Sequence, residues 1–97
     1  MSQDHFTKLA RGEPCYVQVV PCAAPDTVVF AHLRMIGISG IGLKAPSVLG
    51  CPACHNCHDA VDRRRYMRLE RDFVRLAHLE GSVRWMNELI ERGEVDL

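Results

Sequence analysis

The chain has 97 residues, enough for one domain with a thin core. Twelve basic and twelve acidic residues cancel, which excludes a protein that coats nucleic acid by bulk charge, though not one with local phosphate contacts. The apolar runs are far too short to span a bilayer, so no membrane partner is expected.

In chain order, residues 1–14 are polar around Phe6, Leu9 and Ala10, and predict a short helix closing near Gly12 and Pro14. Met1-Ser-Gln-Asp-His is polar and acidic, unlike a secretory leader, which points to a reducing cytoplasm. There clustered cysteines more often hold metal than form disulfides. Cys15-Tyr-Val-Gln-Val-Val20 is rich in β-branched residues and predicts a strand. Pro21, Pro25 and Asp26 mark a turn, and Thr27-Val-Val-Phe-Ala-His-Leu33 predicts a second strand with His32 near its end.

Residues 37–46 form a glycine-rich stretch without the Gly-Lys-Ser/Thr of a P-loop. It reads first as a connection, and second as backbone approaching a phosphate beside Lys44. Ser47-Val-Leu-Gly50 could pair with the His32 strand. A helix is expected from Cys57, placing His58 and Asp62 one turn apart on one face. After a bend near 63–67, Leu69, Phe73, Leu76, Leu79, Val83, Met86 and Ile90 keep helical phase and predict the buried stripe of a long helix. Gly81 falls inside it, and Gly93 is the stop signal.

Five cysteines are odd in number, so a closed disulfide set would leave one over. Cys15 and Cys22 flank the first turn, and Cys51, Cys54 and Cys57 make two overlapping Cys-x-x-Cys pairs. Zinc takes four such ligands in a tetrahedron. Cys54 and Cys57 are the preferred second pair because Cys57 leads directly into the helix; Cys51 is then a buried spare. Unmetallated thiols, disulfides, or an iron–sulfur site lacking its fourth cysteine are the alternatives. His5, His55 and His78 are expected at the surface. His58 with Asp62 suits magnesium, manganese or zinc, and His32 across from them could take a proton from water.

The order of His32, glycine-rich loop, short strand, Cys54-x-x-Cys57-His58 and Asp62 resembles the HNH, or ββα-metal, nucleases. More closely, Cys15, Cys22, Ala31-His32-Leu-Arg34, Gly40-x-Gly42-x-Lys44-x-Pro46, Cys54-x-x-Cys57-His58-Asp59-x-x-Asp62-Arg63-Arg64 looks like the YbcO-like prophage nucleases. These are similar in turn to the RecA-dependent phage nuclease Ref. The resemblance implies an α+β fold: a ββα-metal core with a zinc knuckle over 15–64 and a C-terminal helix over 66–92. It implies a DNA endonuclease with structural Zn2+ on Cys15, Cys22, Cys54 and Cys57. It further implies catalytic Mg2+ or Mn2+ on His58 and Asp62, His32 as base or further ligand, and a RecA-type filament as partner. Ala31 and Ser47 stand where relatives often carry acids. Arg34, Lys44, Arg63, Arg64 and Arg68 are the candidate DNA contacts; Arg64, Arg68, Arg71 and Arg75 would form a basic stripe if helical, or a solvated face paired with Glu70 and Asp72. The competing function is a zinc-stapled DNA- or protein-binding module without catalysis.

Overall fold

The computed structural model describes residues 2–33 and 49–95, with side chains from His5 onward. Arg34, Lys44, Ser47 and the glycine-rich stretch 37–46 lie outside the described residues. The elements are helix α1 (Ser2–Leu9), a single 3-10 turn at Pro25–Thr27, strands β1 (Val29–His32) and β2 (Gly50–Ala53), and helices α2 (His55–Val61) and α3 (Arg71–Glu91). This is an α+β arrangement: a two-stranded antiparallel sheet with α3 packed on β2, α1 on β1, and α2 against both strands. Among the described residues no helix is long and apolar enough to cross a membrane.

Register pairs Ala31 with Cys51 and His32 with Gly50. Gly50 is required there, because a Cβ would strike the Ala31 carbonyl oxygen and approach the His32 Cα to 2.9 Å. Leu33 N–H donates to the Leu49 carbonyl at 2.9 Å and extends the ladder by one rung.

The expected first strand, Cys15–Val20, is not a strand. Tyr16 N–H donates once to the Pro52 carbonyl at 2.8 Å, and Gln18 turns the chain at φ 51°. A strand rises about 3.3 Å per residue and would carry Cys22 about 23 Å from Cys15. Their sulfurs instead lie within 4.8 Å of each other, so the segment curls and its β propensity is overruled.

Helix α3 begins at Arg71 rather than residue 66 and runs through Gly81 as expected. It ends where Gly93 adopts φ 78°, with Glu94 N–H on the Leu89 carbonyl and Gly93 N–H on the Ile90 carbonyl. Its buried face is not the predicted stripe. Val74, His78, Gly81, Ser82, Trp85 and Leu89 face the core, whereas Phe73, Leu76, Leu79 and Val83 are 52, 54, 39 and 63% exposed. The small residues decide this phase: a Cβ on Gly81 would meet the Tyr16 carbonyl and lie 3.3 Å from Cys51 Sγ. Only that face lets α3 approach β2 so closely, and Trp85 then stacks edge-on against Tyr16 at 5.3 Å. The arginine stripe is corrected too, because Arg64 and Arg68 lie before α3 begins.

Candidate metal centre

Three separate pieces of chain deliver sulfur to one point. Cys15 comes from the curled segment, Cys22 from the turn after it, and Cys54 and Cys57 from the start of α2. One ligand atom from each lies within 4.8 Å of all the others. Cys54 is the N-cap of α2, and its Sγ accepts the Cys57 backbone N–H at 3.5 Å. Cys15, Cys54 and Cys57 are buried and Cys22 is exposed at the rim. Zinc–sulfur bonds of about 2.3 Å place tetrahedral sulfurs roughly 3.8 Å apart, so four thiols already this near need only a small contraction to hold a zinc ion. Cys51, on β2, lies outside the set: it is fully buried, and desolvation pushes its thiol up to about 12.

Three of these sulfurs, those of Cys15, Cys22 and Cys57, hold protons unequally. Cys15 is brought down to about 4, chiefly by a hydrogen bond from the Cys57 thiol, which offsets its burial. Cys57 is raised by the same bond, then by burial. Cys22 is raised to about 11 by desolvation and then by the nearby Cys15 charge. A cage with one favoured thiolate and protonated neighbours suits a divalent cation, which satisfies four thiolates at once.

Beyond the cage α2 carries two parallel histidine–carboxylate pairs. His58 Nε2 lies 3.3 Å from Asp62 Oδ2, and His55 Nε2 lies 3.4 Å from Asp59 Oδ2. Arg64 reaches Asp62 at 2.8 Å and Asp59 at 3.7 Å, and Arg65 reaches Asp59 at 3.8 Å. Arg63, at φ 59°, donates to the Met67 and Leu69 carbonyls, each at 3.1 Å, and shapes the turn between α2 and α3. Arg68 is exposed. His55 is at the surface as expected.

His32 is exposed at the end of β1, its ring edge-on to Phe30 at 4.8 Å. Among the described residues the cysteine set is the group of histidine, cysteine or acidic side chains positioned to share a metal ion; His32, His58 and Asp62 are not gathered that way. His78, expected at the surface, is buried at 4% exposure, with Nε2 2.9 Å from the Ala31 carbonyl oxygen. Ser82 in turn donates to the His78 carbonyl at 2.8 Å. His78 thus fixes the peptide preceding His32. Its signal was positional: it shares one helical face with Val74, Ser82 and Trp85. Asp59, also overlooked, is 6% exposed and stands four residues after His55, the spacing that singled out His58 and Asp62.

Comparison with known proteins gives concordant findings. The family model described as "Putative nuclease YbcO" matches residues 4–94. The chain is 37% identical over 87 residues to "Putative nuclease YbcO" of Escherichia coli (strain K12), covering 84% of this chain and 90% of that protein. Identity and coverage are the same with "Putative nuclease ybcO" of Enterobacteria phage 82. A solved structure, described as that of "a putative bacteriophage protein from Escherichia coli str. K-12 substr. MG1655", superposes with a TM-score of 0.75 at 31% identity. It covers 91% of this chain and 99% of its own.

Proposed function

The chain belongs to the YbcO family, whose description reads "Putative nuclease YbcO", and from that premise we propose that it is a metal-dependent DNA endonuclease of the HNH type. The observation that carries this reading is the helix leaving the thiol cage. It holds an imidazole and a carboxylate 3.3 Å apart, one turn from each other, and packs against the strand that ends in His32.

In this reading Cys15, Cys22, Cys54 and Cys57 hold structural zinc, which fixes the start of α2. His58 and Asp62 hold a catalytic magnesium or manganese ion, which when bound would stabilise charge on the scissile phosphate and on the departing 3′ oxygen. The His32 imidazole accepts a proton from water as the water oxygen bonds to phosphorus and the P–O3′ bond breaks. His78, through the Ala31 carbonyl, holds the peptide from which His32 projects. Arg64 and Arg68, with Arg34 and Lys44, contact phosphates and give affinity without sequence choice. Arg63, already bonded to two backbone carbonyls, serves mainly to shape the turn.

One observation favours the second reading, a zinc-stapled DNA-binding module: Asp62 is already engaged by Arg64 at 2.8 Å. A plasmid-nicking assay on zinc-loaded protein separates the two. The nuclease reading expects nicking with magnesium or manganese, and a loss of about 10²–10⁴-fold in His32→Ala with zinc content unchanged. Full nicking by His32→Ala removes His32 from catalysis, and no nicking by the parent protein leaves the binding module.

A further inference from the structure

The turn between α2 and α3 is the floor of a cavity of about 430 Å³, within the range of sites that take small molecules. Leu33, Val61 and Val74 form its walls, with Leu76 and Leu79 on the open side. Two further residues of α3, Arg71 and Arg75, stand one turn apart on its rim. Both are exposed, and among the described residues neither has an acidic partner within ion-pair distance. Among the described residues Asp72 is the single acid that lines the cavity. Val61 immediately precedes Asp62, so the cavity adjoins the proposed site of hydrolysis.

We infer that this cavity receives an unstacked nucleobase of the DNA strand, with the neighbouring phosphates on Arg71 and Arg75. The inference rests on the nuclease reading and narrows its substrate to single-stranded or locally unpaired DNA. The charge pattern selects the occupant. An apolar recess with a cationic rim fits a ligand that is flat and apolar on its faces and anionic beside them, which describes a nucleotide. A second copy of the chain would carry the same arginines on the same face, so a two-fold contact would set like charges together. In duplex DNA the base faces are covered by their neighbours, and only a nucleotide out of the stack can present them to Leu76 and Leu79.

The test uses full-length zinc-loaded protein and a fluorescent 12-nucleotide single strand and its blunt duplex, in anisotropy titrations without added magnesium or manganese. The single strand should bind about tenfold tighter or more. The paired substitution Leu76→Gln with Leu79→Gln is charge-neutral at exposed positions. It should weaken single-strand binding by about tenfold while duplex affinity stays within about twofold. Arg71→Gln and Arg75→Gln should each flatten the salt dependence of single-strand binding by about one unit of slope. Equal affinity for both forms, or equal losses on both, overturns the inference. So does a micromolar dimer that Leu76→Gln dissociates, which would assign the face to a second copy. Cleavage assays report separately: strand-selective binding without nicking sinks the nuclease reading and leaves the cavity assignment, and nicking without strand preference does the reverse.

Discussion

Proton placement on the cage sulfurs makes zinc binding a titration. Cys22, raised to about 11, and Cys57, also raised, are thiols at neutral pH and must release their protons to bind metal. Zinc affinity should therefore rise with pH, by about a hundredfold per unit or more, since at least these two protons leave. Calorimetry in buffers of different ionisation enthalpy measures the proton count, and a pH-independent affinity would contradict it. The metal-free fold behaves otherwise. Cys15 is depressed to about 4 from 9.0, so its contribution is complete above 9.0 and fades as pH falls towards 4. Cys22 is raised from the same 9.0 to about 11, so its contribution is complete below 9.0 and is lost as pH rises to 11. Thermal melts of the apoprotein should thus peak near pH 9 and decline on both sides. Also at this scale, His78→Ala removes the side-chain hydrogen bond on the buried Ala31 carbonyl and should cost about 0.5–1.5 kcal/mol in urea unfolding. An unchanged midpoint would show that His78 fixes nothing.

The long helix shows what an element can hide. Its continuation through Gly81 and its Gly93 stop were readable from periodicity and a single glycine, but its start and its phase were not. Apolar residues occupy both faces, and large side chains at 73, 76, 79 and 83 outweigh a core face built from Gly81, Ser82 and a histidine. Close packing chose the small residues, a decision that sequence hydrophobicity does not register. Leu89→Ala should therefore cost about 2–5 kcal/mol, whereas Leu76→Gln should stay within about 0.5 kcal/mol. Denaturation of the two variants reverses this order if the predicted stripe is the buried one. Gly81→Ala, which helix propensity alone would favour by about 1 kcal/mol, should destabilise instead, because its methyl group has the Tyr16 carbonyl to displace. The first strand failed for a related reason: the two cysteines bounding it had to meet. The cysteine choice agrees with the observed cluster because Cys54 caps α2 and Cys57 sits in its first turn, while Cys51 lies under α3 beside Gly81.

Across the described residues the cage cysteines connect the curled segment, the turn and α2, while the sheet there has two short strands. A core this thin would lean on a metal held by that cage. Stripping the metal with a chelator should lower the melting temperature by about 20 °C or more, and Cys22→Ser should reproduce most of that loss. Cys51→Ser should leave zinc stoichiometry intact while lowering stability, since a hydroxyl replaces a buried sulfur. Equal zinc loss from the two variants would mean that Cys51 belongs to the cage. The two ends of the described chain are also tied: His5 lies 2.9 Å from Glu94, and Arg92 holds Glu13 through two 3.0 Å bonds. With residues 5 and 94 in contact, a short flexible bridge between these two segments could close a ring without bending the fold. Cyclisation of that kind would restrict only the denatured ensemble, raising stability by roughly 2–4 kcal/mol.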